Sequence, residues 1–112
     1  MKQINIYHKL SYQDDKPAIS VLYETETSKE IRILFRKGQQ MQQHQTPYPI
    51  SVYIVEGTLD FGVANQVYHL EKGSLVSLEG NVPHDLKAQS DCIVRLSLTH
   101  QDSSQRVKNV IQ

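Results

Sequence analysis

Apolar and polar positions alternate with a period of two over most of this chain, the pattern of half-buried strands. Ile4, Ile6, His8 and Leu10 alternate with Asn5, Tyr7 and Lys9, predicting a strand or an extended arm. Ile19, Val21 and Tyr23 form a second alternating run, and Ile31, Ile33 and Phe35 a third, with polar Glu24 to Glu30 between them. After Gly38, strict alternation puts Gln40, Gln42, His44 and Thr46 on one face and Met41, Gln43 and Gln45 on the other. Ile50, Val52 and Ile54 share the next face, and Leu59, Phe61 and Val63 the one after. Gln66 to Leu70, Ser74 to Leu78, His84 to Ala88 and Asp91 to Thr99 complete a series of about nine or ten short strands.

The breaks between these runs carry turn chemistry. Asp14-Asp15-Lys16-Pro17, Lys37-Gly38, Glu56-Gly57, Ala64-Asn65, Lys72-Gly73 and Gly80-Asn81-Val82-Pro83 supply residues that cap their own backbone, fix φ or tolerate positive φ. Short strands with closely spaced turns and almost no helical period predict an all-β sandwich or barrel. Only the tail departs from this. Val107, Val110 and Ile111 are spaced as in one or two helical turns, and the same segment would also suit a frayed end or a strand exchanged with a partner.

The 112 residues suffice for one domain, divided into N-terminal strands or arm (1–30), a barrel (31–100) and a tail (101–112). Twelve basic and twelve acidic residues balance, so there is no broad attraction to a nucleic-acid backbone or an anionic bilayer. The N-terminal residues lack the apolar run of a signal peptide and no window is apolar enough to span a membrane, which points to the cytoplasm. Cys92 is the single cysteine, so no internal disulfide can form, and its setting suits a small buried hydrophobe in a strand.

Two stretches stand out by their spacing. In the first, Gly38 is followed by five residues and then His44, and Gly57 closes an apolar strand. In the second, Gly73 and five residues lead to Glu79-Gly80-Asn81, then to Val82-Pro83-His84. Gly38, His44, Gly57, Gly73 and His84 resemble the framework of the two cupin motifs, and the sequence resembles small single-domain bacterial cupins with a reduced metal motif. The resemblance implies the cupin double-stranded β-helix, a jelly-roll barrel. It also implies that His84 faces His44 across the barrel. In metal-containing cupins a second histidine and a glutamate complete the first motif, and here those positions hold Thr46 and Ile50. Asn81 replaces a glycine, a mild change because Asn tolerates positive φ.

The candidate ligand pocket therefore comprises His44, His84, Gln42, Thr46, Ile50 and Tyr48. As a metal site it offers two neutral imidazoles, with Gln42 the best candidate for a third donor and Thr46 a weak oxygen ligand. Ile50 places apolar bulk where a carboxylate would stand. Zinc, nickel, iron or manganese would be the divalent ions to test. As a binding site, two histidines can hold a hydroxylated or anionic small molecule, or simply bond each other, Gln42 or water. Tyr48, between two prolines, either gates or stacks on a ligand or packs in its turn. Asp85 alternates outward. Tyr53, opposite the interior face, is expected at a subunit interface. His8, His69 and His100, with Arg32, Arg36 and Arg95, read as structural or solvated.

Three functions fit the sequence. The first is a barrel that binds a small-molecule ligand and pairs as a homodimer through its sheet edges. The second is a metal-dependent enzyme of the oxygenase or isomerase type found among cupins, with His44 and His84 as ligands. The third, a sensor half of a transcription regulator, lacks a helix-turn-helix segment or basic excess of its own.

Overall fold

The computed structural model describes residues 1–99. The tail 101–112, read above as one or two helical turns, a frayed end or an exchanged strand, and His100 lie outside them. Nine strands run in chain order: β1 (Ala18–Glu24), β2 (Ser28–Phe35), β3 (Gln40–His44), β4 (Ile50–Glu56), β5 (Leu59–Val63), β6 (Gln66–Leu70), β7 (Leu75–Leu78), β8 (His84–Ala88) and β9 (Cys92–Thr99). They form a five-stranded sheet ordered β1-β2-β9-β4-β7 and a four-stranded sheet ordered β3-β8-β5-β6, antiparallel throughout. This is the expected jelly-roll barrel. Among the described residues no helix is long and apolar enough to cross a membrane.

The core lies where the alternating apolar faces of the two sheets meet. Ile33 and Phe35 of β2, Ile50, Val52 and Ile54 of β4, and Cys92 and Val94 of β9 face Leu59 and Phe61 of β5 and Leu86 and Ala88 of β8. Burial pushes the Cys92 thiol above its ordinary pKa, and its Sγ donates to the carbonyls of Thr58 and Ser90, so it is the buried hydrophobe expected of it. The β5–β6 hairpin turns through Ala64 and Asn65, both at positive φ, the geometry that matches a two-residue loop to strand twist.

The N-terminal segment is an arm and not a strand. Asn5 Oδ1 accepts the Tyr7 amide and Asn5 O accepts the His8 amide, so the chain curls before it can extend. Arg32, expected to be solvated, is the residue that holds it. Its guanidinium donates to the carbonyls of Ile6 (2.8 Å), His8 (2.7 Å) and Lys9 (3.1 Å), and the side chain is buried beneath the arm. Period-two alternation reports which face a residue takes, but not whether another segment later covers that face. Tyr7 adds a second clasp by donating to Glu56, which holds that carboxyl below its ordinary pKa.

Arg32→Ala should therefore cost roughly 2–3 kcal/mol, since charge-assisted bonds from the buried guanidinium to three arm carbonyls are lost together with packing. Hydrogen-exchange mass spectrometry should show protection vanishing over residues 4–10 while the barrel strands keep theirs. Undiminished protection there would mean that Arg32 is not the anchor.

Candidate functional site

The two motifs meet at one end of the barrel. The Asn81 amide donates to Thr46 O at 2.7 Å, and Asn81 takes φ 64°. Gly80 lies so close to Pro47 that a Cβ would stand 2.4 Å from its carbonyl oxygen. These contacts fix the bend after β3 against the turn before β8. That bend is also closed internally, because Thr46 Oγ1 accepts the Tyr48 amide at 3.0 Å and donates to Tyr48 O at 3.1 Å. Thr46 is thus committed to its own turn, and Tyr48 is half-buried within it.

His44 ends β3 and His84 begins β8, and the ladder pairs them directly. They do not face each other across the barrel as the motif resemblance implied. They are neighbours in one sheet, with ring centroids 4.4 Å apart and planes tilted by 58°. Phe61 of β5 stacks on the other side of His84 at 5.6 Å, nearly parallel. His84 is buried and His44 half-buried.

Both rings are oriented in the same way. His44 Nδ1 lies 2.8 Å from Gln42 O, and His84 Nδ1 lies 2.9 Å from Val82 O. A carbonyl oxygen can only accept, so each Nδ1 carries the proton and each Nε2 presents a lone pair in the neutral ring. His84 Nε2 is buried with no hydrogen-bond partner among the described residues. A buried acceptor left unpaired costs about 1–3 kcal/mol, which makes this atom the part of the site that wants a ligand.

Gln42 does not share the His44 face. A bulge falls between Met41 and His44, where Met41 pairs with Leu86 and His44 with His84, so three steps on β3 match two on β8. Met41 therefore packs toward the core, while Gln42 and Gln43 are exposed. Gln42 contributes its carbonyl, as the partner that orients His44. Ile50 is buried in the core of the neighbouring sheet. Asp85 points outward as expected and lies across Gly62, where a Cβ would stand 2.0 Å from its Oδ1. Sequence reading missed Phe61 as a neighbour of the pair, and Met41 as a core-facing residue of β3. The signal for Met41 was present, since it is the one apolar residue between Gly38 and His44 and is three positions from the histidine, a mismatch that a bulge resolves.

As a metal site the donor set is incomplete. Two imidazoles fall short of the three protein ligands a firmly held divalent ion takes, and no group of three or more His, Cys, Asp or Glu side chains suited to a metal occurs among the described residues. The remaining isolated side chains have local roles. His69 pairs with Asp60, which also accepts from Gln89, and Arg36 pairs with Asp91 while lying over the Tyr12 ring.

Residues 31–99 match the family model of the Cupin domain, well over half of the chain and both histidine motifs. The chain belongs to the cupin family. Its fold is shared by an RmlC-like cupin from Desulfovibrio desulfuricans, with a TM-score of 0.81 at 20% identity over 88% of this chain and 96% of that one. The protein TT1209 from Thermus thermophilus gives 0.80 at 18% identity, over 88% and 97% of the two chains. KdgF from a Halomonas species gives 0.75 at 16% identity, over 93% and 99%. At such identities the likeness to these proteins is one of fold. No curated protein matches the chain.

Proposed function

We propose that this cupin binds a small molecule at the His44–His84 pair, through hydrogen bonds from the ligand to the two Nε2 atoms. The observation that carries this reading is the buried, unpartnered Nε2 of His84 beside a second imidazole oriented identically. Two neutral acceptors with no carboxylate beside them favour a ligand that donates, such as a hydroxylated compound. Phe61 supplies an apolar flank to the His84 ring. The role is binding, as a sensor or carrier, in a cytoplasmic homodimer.

A second reading is favoured by one specific feature. Imidazoles whose Nδ1–H is held by a carbonyl are oriented as metal ligands are, so weak capture of a divalent ion, with solvent completing its shell, would use the same two atoms. A metal-dependent enzyme would follow only if that ion were held firmly.

Elemental analysis of untagged protein, beside His44→Ala and His84→Ala variants, separates the two. Metal well below stoichiometric, with thermal shifts from hydroxylated compounds that both variants lose, is the expected result. Near-stoichiometric metal that disappears in both variants would replace ligand binding with the metal-dependent reading.

A further inference from the structure

A second recess lies on the outer face of the five-stranded sheet, on the far side of that sheet from the barrel interior. It is a groove of about 270 Å³ between the N-terminal arm and the sheet. Ile4 and Ile6 of the arm, Leu22 of β1 and Val55 of β4 supply apolar walls, Tyr23 and Tyr53 also line it, and Glu30 and Arg95 are its charged part. Glu30 is only 5% exposed, an unusual position for a carboxylate.

The way Glu30 is paired leaves something over. An arginine fork ordinarily engages both oxygens of a carboxylate. Here Arg95 Nε (2.9 Å) and Nη2 (2.8 Å) both converge on Oε1, and the Ser97 hydroxyl donates to that same oxygen. The ladder places Glu30 directly opposite Ser97, which sets this one-sided approach. Among the described residues no donor reaches Glu30 Oε2 and no acceptor reaches Arg95 Nη1. The groove thus pairs an open acceptor with an open donor, on residues whose charges cancel.

We propose that this groove is a binding site for a small aliphatic zwitterion, the chemistry of an apolar amino acid. Its ammonium would donate to Glu30 Oε2, its carboxylate would accept from Arg95 Nη1, and its alkyl side chain would lie among Ile4, Ile6, Leu22 and Val55. A simple anion would be repelled by Glu30 and a simple cation by Arg95, whereas a zwitterion satisfies both. The volume falls just below the roughly 300 Å³ at which pockets for drug-sized ligands begin, which suits a ligand of this size.

An amide NMR titration of the full chain with L-leucine, isovalerate and isoamylamine tests the assignment. L-leucine should give saturable shifts, at millimolar ligand or below, confined to amides of the groove. The two singly charged analogues should bind more weakly by roughly ten-fold or more, since each forfeits a charge-assisted bond. Glu30→Gln should abolish the response. Leu22→Phe, which fills the apolar wall and leaves the Glu30 network intact, should do the same if Glu30→Gln fails to fold. Absence of saturation, equal response to all three compounds, persistence of the shifts in a folded variant, or shifts around His44 and His84 would overturn the proposal. Groove shifts on raising protein concentration alone would also overturn it, in favour of a second copy as the occupant.

Discussion

Gly57→Ala should destabilise the protein by roughly 2–5 kcal/mol, a large share of the total in a domain whose stability is about 5–15 kcal/mol. Gly57 stands where the chain leaves β4 in one sheet and enters β5 in the other, and its φ is 91°. A side chain in that region costs about 1–2 kcal/mol in backbone strain. The greater obstacle is space. A Cβ there would lie 2.2 Å from Asp91 O, 2.8 Å from Cys92 Sγ and 3.0 Å from Cys92 Cα. These atoms lie at and just before the start of β9, and the turn leading into it is tied to the same corner by the Thr58 amide on Ser90 Oγ and the Gln89 amide on Thr58 O. They are backbone or tightly packed, so relief requires the corner to open, an overpacking cost of about 1–3 kcal/mol. Gly38 and Gly73 supply the control, since their φ values are 89° and 95° and nothing lies within 4 Å of a Cβ at either. Gly38→Ala and Gly73→Ala should show the backbone cost alone. Urea unfolding of the three variants measures the difference, and equal losses at all three would remove the close approach of β9 as the reason for Gly57.

These glycines explain why the fold was legible. The motif spacing marks Gly38, Gly57, Gly73 and Asn81, and all four take positive φ, so the turns between strands were encoded by residue type. The alternating runs likewise marked β1 to β9, because a one-residue slip would turn a whole apolar face to solvent. The site was less legible for three physical reasons. The β3 bulge breaks the alternation at Met41, and with it the expectation that Gln42 looks inward. Sheet order is a tertiary fact, and β3-β8 adjacency makes His44 and His84 lateral neighbours where motif spacing alone could not. Arg32 and Glu30 occupy outward positions on β2, and only the arm and Arg95 explain why both are buried. Tyr53, expected at a subunit interface, is half-buried on the cluster of Leu34, Val55 and Ile93 within its own chain.

Thr46→His combined with Ile50→Glu should make the stability of this protein depend on metal. Those are the two positions at which the cupin metal motif is incomplete. Ile50 is 3% exposed, between Leu98 of β9 and Leu78 of β7, so a carboxylate placed there without a partner carries an uncompensated buried charge costing roughly 3–5 kcal/mol. Losing the Thr46 hydroxyl removes the two bonds that close the turn onto Tyr48, about 1 kcal/mol more. The metal-free double variant should therefore be close to unfolding. With two added ligands beside the oriented imidazoles, zinc or nickel at about 1,000 times its Kd would return about 4.1 kcal/mol. At about 4–8 °C per kcal/mol for a domain of this size, Tm should rise by roughly 15–30 °C. The native protein, with Thr46 and Ile50 in place, should respond to the same ion by a few degrees at most. Calorimetry with and without metal on both proteins decides the matter. A double variant that is destabilised but indifferent to metal would mean that Thr46 and Ile50 do not look toward the histidine pair. A native protein that shifts as far as the variant would mean that two imidazoles already suffice, and the metal-dependent reading would then stand in place of ligand binding.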